Sequence, residues 1–75
     1  MNIFVVLVVL LIPGKPGTAD MEQVMFRELI TASSQATCQK HADTRADEQR
    51  AKKAADVGRL RARVVGVCIE HKEPA

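Results

Sequence analysis

The apolar positions of this chain fall into unequal blocks, and each block has its own pattern. Residues 3–12 read IFVVLVVLLI, ten large apolar side chains in a row with no charge among them. A half-buried strand alternates and a surface helix repeats every 3.6 residues, so this run fits neither. It fits the core of a signal peptide, which spans about 7–15 apolar residues. Pro13-Gly14-Lys15-Pro16-Gly17 then interrupts any helix, and Gly17-Thr18-Ala19 supplies the small-x-small pattern of a peptidase site. No Lys or Arg precedes the run, which departs from the usual charged leader. As a helix, ten residues cover about 15 Å, half of the roughly 30 Å hydrocarbon core. The expectation is a signal peptide or short signal anchor over 1–19 and a small mature region over 20–75.

The second block repeats differently. Met21, Met25, Leu29 and Ala32 recur at spacings of four, four and three, flanked by Val24, Phe26 and Ile30. Asp20 stands where an N-cap belongs, with Gln23 three residues on. This predicts a helix over about 21–32, with a stripe of Met21, Met25, Phe26, Leu29 and Ile30 for a partner. Thr31-Ala32-Ser33-Ser34 can bend or re-cap it. From Gln35 to Asp56 the chain turns to alanine with charged residues, free of Gly and Pro, and predicts a solvated helix ending near Gly58. Its apolar face consists of alanines 36, 42, 46, 51, 54 and 55.

The last block, RLRARVVGVCIE at 59–70, alternates at first and is rich in β-branched residues, which suits a short extended segment, with a short amphipathic helix as the competing reading. The fold class expected is therefore mostly α: a leader, one or two helices over about 21–56, and a short C-terminal segment that is extended. The alternative is a small β-α-β unit in which 3–12 pairs with the Val-rich 63–69. That alternative has a cost. A continuously apolar strand needs cover on both faces, and one helix covers only one.

Composition narrows the function. Seventy-five residues make at most one small domain, below the size at which one apolar core usually suffices, so a staple, a membrane or a partner is expected. There is no Trp or Tyr and there are only two Phe, which excludes an aromatic platform for single-stranded nucleic acid, and no nucleic-acid partner is expected. The net charge of +2 is too small to indicate a partner by itself. Locally, Arg50, Lys52, Lys53, Arg59, Arg61 and Arg63 face Asp56 alone, a candidate surface for anionic headgroups.

The chemically distinctive residues form two matching clips, Cys38-Gln39-Lys40-His41 and Cys68-Ile69-Glu70-His71. Two thiols in a short exported chain predict a Cys38–Cys68 disulfide. The competing use is a zinc or copper site of Cys38, His41, Cys68 and His71, a tetrahedral donor set. If 38–57 is helical, Cys68 returns to Cys38 only when 59–68 is extended or the turn falls nearer Lys53. A Cys-His nucleophile lacks a Gly-rich oxyanion loop here, so no enzyme is expected.

The stretch RADEQRAKKAADVGRLRARVVGVC at 45–68 resembles phage spanins, in which a charged helix runs into a Gly and an Arg/Leu cluster before a Cys. The matching residues are Gly58, Arg59, Leu60, Arg61 and Cys68, and the likeness covers about a third of the chain. It implies an envelope-spanning or lysis-accessory role. The functions expected are thus a secreted or periplasmic interaction protein stapled by one disulfide, an exported metal-binding protein, or a membrane-active or lysis-accessory peptide. The partner would be another protein, a membrane surface or a second copy.

Overall fold

The computed structural model describes residues 2–71. Five elements follow one another: strands β1 (Asn2–Ile12) and β2 (Met21–Ala32), helices α1 (Gln35–Lys52) and α2 (Ala54–Leu60), and strand β3 (Arg63–Glu70). The strands form one antiparallel sheet in the order β2-β1-β3. This overturns the mostly helical fold expected from the sequence, in both of its first two elements.

The continuous apolar run is the middle strand. β1 is hydrogen-bonded on both edges and carries side chains on both faces, so nothing along it needs to be polar. Phe4, Val6, Val8 and Leu10 are buried on one face, while Ile3, Val5, Leu7, Val9 and Leu11 alternate with them on the other. That placement makes the segment a sheet strand and corrects the fold class expected for it. Without residues 1–19, β2 and β3 would have no strand between them. Among the described residues, no helix is long and apolar enough to cross a membrane.

The Pro-Gly segment read as a cleavage region is the hairpin connection. Lys15-Pro16-Gly17-Thr18 closes with Thr18 N–H donating to the Lys15 carbonyl at 2.9 Å, and Gly17 has φ 85°. Pro at the second position and a positive φ at the third are the marks of a type II turn. Asp20 accepts from the Gly14 N–H at 3.0 Å across this loop, and so is not a helix cap.

β2 has the bounds foreseen for a helix but is extended. Its fours-and-threes spacing lost to pairing: a solitary β1 would leave a row of backbone groups unbonded, and residues 21–32 satisfy them. The register slips between Val8 and Val9, which face Phe26 and Val24, so Met25 is the extra residue of a bulge. Beyond the bulge Phe26, Glu28, Ile30 and Ala32 face the helix, with Arg27, Leu29 and Thr31 on the opposite side.

Ser34 caps α1, its Oγ accepting from the Thr37 N–H at 3.2 Å. The Ala-rich stretch is helical with a break at Lys53, and α2 runs past Gly58 to Leu60, where Arg61 takes the left-handed conformation at φ 52°. α1 buries Cys38, Ala42 and Ala46, four residues apart, and lies chiefly over β3 and β1. Of the alanines expected to form its apolar face, 36, 51, 54 and 55 are exposed. The two Val-rich segments lie side by side but antiparallel, so the β-α-β alternative is not the observed topology either.

The seat of α1 is narrow. A Cβ built on Gly66 would collide with the Ala42 carbonyl oxygen and lie 2.6 Å from its carbon, whereas one built on Gly58 meets open space. Gly66→Ala is therefore expected to destabilise the fold by about 1–3 kcal/mol through overpacking. Gly58→Ala, in a helix, should be neutral or stabilising by up to about 1 kcal/mol. Urea midpoints of the two variants, compared with the parent, test this directly.

Candidate interaction surface

The strongest chemical link lies between helix and sheet. Cys38, fully buried in the first turn of α1, is disulfide-bonded to Cys68 on β3, with a Cα–Cα distance of 6.0 Å. β3 is extended, which is what returns the second sulfur to the first. The metal quartet does not converge. The sulfurs are spent on each other, His41 turns toward β2, and His71 is exposed just beyond β3, where its backbone N–H donates to the Ile3 carbonyl at 2.8 Å. Among the described residues, no three His, Cys, Asp or Glu side chains cluster to hold a metal ion.

Side chains of α1 also reach the backbone of β3. Gln35 Nε2 donates to the Cys68 carbonyl at 2.9 Å, Gln39 Nε2 to Gly66 at 3.0 Å, and an Arg50 N–H to Val64 at 2.9 Å. Carbonyls on one side of this outer strand are thus occupied along most of its length. None of the three donors was singled out for this role from the sequence, although Gln35, Gln39 and Arg50 flank the Cys38-Ala42-Ala46 row at helical spacing.

On its other flank α1 is tied to β2. The His41 Nε2–H donates to Glu28 Oε1, and Arg45 Nε donates to the same oxygen at 3.3 Å while its other arm holds Glu48 at 2.7 Å. The Arg45 guanidinium lies 5.9 Å from the centre of the Phe26 ring. The hydrogen bond from His41 lowers the Glu28 carboxyl below its ordinary range, opposed by partial burial and reinforced by Arg45. These contacts join two elements, and the only hydrogen-bond partner of the imidazole among the described residues is Glu28.

The basic residues lie on α1, on α2 and at the start of β3. Arg50 is engaged by Asp47 and by the Val64 carbonyl, and Arg59 by Asp56 at 3.3 Å. Lys52, Lys53, Arg61 and Arg63 are exposed. Lys53 and Arg59 stand on the rim of a cleft of about 380 Å³ between the start of β2 and α2, floored by Leu10, Met25, Val57 and Leu60.

The stripe of Met21, Met25, Phe26, Leu29 and Ile30 is divided by strand geometry. Met25, Phe26 and Ile30 pack toward the helix side, whereas Met21 and Leu29 remain 66% and 62% exposed. A different apolar surface appears instead. Ile3, Val5, Leu7, Val9 and Leu11 run down the centre of the uncovered face, flanked in register by Leu29 on β2 and by Val65, Val67 and Ile69 on β3. This surface is not legible from the sequence when residues 3–12 are read as a leader. The signal was present in the requirement that an all-apolar strand be covered twice. Comparison of the chain with protein families, curated proteins and solved structures finds no match to any of them.

Two measurements test the helix ties. Closing a loop across a sequence separation of 30 stabilises by about 3–4 kcal/mol in the chain-entropy model. Replacing both Cys38 and Cys68 by Ser should cost that much in urea unfolding, and a loss under about 1 kcal/mol would show that the helix seat holds without its staple. For Glu28 the sign follows from its lowered folded-state value. The stability it contributes is complete above the unfolded value and is lost as pH falls through the folded one. As pH falls below about 4.5, thermal midpoints should drop more steeply in the parent than in Glu28→Gln. Parallel slopes would remove Glu28 as a contributor.

Proposed function

We propose that this protein is a small, non-enzymatic interaction protein of an oxidising compartment, stapled by Cys38–Cys68 and presenting the uncovered face of its sheet to a partner. The observation that supports it is the row from Ile3 to Leu11. Every second residue of the central strand is apolar on a face that no other element among the described residues covers. Monomeric proteins rarely leave a contiguous apolar patch larger than a few hundred Å² open to water. The compartment is inferred from the disulfide, which persists in exported proteins and is rare where thiols are kept reduced. No observation favours the metal reading, because both thiol donors are oxidised. The spanin likeness is weakened too, because residues 45–68 bend through two helices into a strand instead of forming one long helix.

A photo-crosslinking amino acid at position 7, with the protein produced in an oxidising compartment, tests the reading. Position 7 is expected to form a discrete protein adduct, and the same group at exposed Ala55 on α2 is not. If neither position, or only position 55, gives an adduct, the sheet face is not the contact surface.

A further inference from the structure

The reading of the open face as a contact surface leaves its occupant to be identified, and the geometry of that face argues for one. We propose that it is a second copy of this chain, packed sheet to sheet about a two-fold axis running along β1. The inference rests on the function proposed above and adds the identity of the partner.

Size comes first. Three strands about 4.8 Å apart, and eight paired rows of about 3.3 Å each, give a flat face of about 14 by 26 Å. In projection that is about 370 Å² per copy, so two copies cover at least about 740 Å², at the small end of protein interfaces, and the charges at the edges carry the specificity. Aligned sheets about 10 Å apart let the two apolar rows interdigitate, as in any sandwich core.

Charge then selects the arrangement. Leu11 lies opposite Glu22 on β2 and opposite Arg63 on β3, which places these exposed, oppositely charged side chains on the same face at its two edges. They are two strand spacings apart, about 10 Å, and form no ion pair among the described residues. A two-fold axis along β1 carries β2 of one copy over β3 of the other, row on row. Each Glu22 then stands over the partner's Arg63, twice in the dimer. Arg27, opposite Leu7 in the middle row, lies over the partner's Val67 at an edge, where its apolar stem packs and its head reaches water. A two-fold axis across the strands would instead stack Arg27 on Arg27. The contact is self-complementary in one orientation only.

Sedimentation of the full, oxidised chain at tens of micromolar tests this. The expected mass is twice 8.2 kDa, returning to the single-chain value in Leu7→Glu with the circular dichroism spectrum retained. If Leu7→Glu does not fold, the edge charges decide. Glu22→Arg and Arg63→Glu should each weaken the dimer by about three- to tenfold at low salt, and the double swap should restore it. Failure of the double swap to restore affinity, or a dimer that survives a folded Leu7→Glu, overturns the proposal. A parent chain that stays monomeric also overturns it, and the crosslink at position 7 then separates the cases. An adduct to a different protein leaves the contact surface standing with another occupant, and no adduct removes both. A monomer that binds phosphatidylglycerol vesicles through Leu7 assigns the face to lipid instead.

Discussion

Where α1 crosses β3, the carbonyl of Ala42 occupies the space that any side chain at residue 66 would need, and glycine there lets helix and strand meet backbone to backbone. The closeness has consequences along the whole helix. One turn before, Cys38 comes within disulfide reach of Cys68, and one turn after, Ala46 is small enough to pack over Val8, Leu10 and Val64. Gln35, Gln39 and Arg50 reach the strand's carbonyls because the helix axis runs so near them. A larger residue at either contact would lift the helix, lengthen these bonds and uncover the Phe4-to-Leu10 face of the central strand.

A helix seated this way covers one face of the sheet and leaves the other to the solvent. The central strand is equally apolar on both sides, so the fold places an interior surface outside. Exposure at Leu29 and Ile69, 62% and 49%, shows how little of that face the chain itself protects. The edges are treated unequally as well: β3 has carbonyls taken by α1, while β2 ends the sheet on the other side and carries the bulge at Met25. Bulges twist an edge and discourage further pairing.

The chemistry that a list of residue types suggests is absorbed by these structural demands. Two Cys-His clips read as a donor set, but in the fold the sulfurs bind the helix to β3 and His41 binds it to β2 through Glu28. Basic residues that cluster in the sequence lie on α1, on α2 and at the start of β3, and two of them are held by acidic neighbours three residues away.

Local chemistry determined what depends on near neighbours in the chain. The helical character of the Ala-rich stretch follows from propensity, whereas the Val-rich segment before Cys68 suits a strand or a short helix, and the reach of one cysteine to the other requires the strand. Tertiary structure decided the rest. Residues 3–12 have the same apolar content whether they are discarded, left in lipid or buried between two strands, and only the presence of two pairing partners distinguishes these fates. Residues 21–32 present an apolar stripe at helical spacing, yet they are extended, because the unpaired backbone of β1 outweighs a propensity worth tenths of a kcal/mol per residue. Which face of the sheet stays open depends on a contact between residues 24 positions apart, Ala42 and Gly66, and no pattern along the chain encodes such a contact.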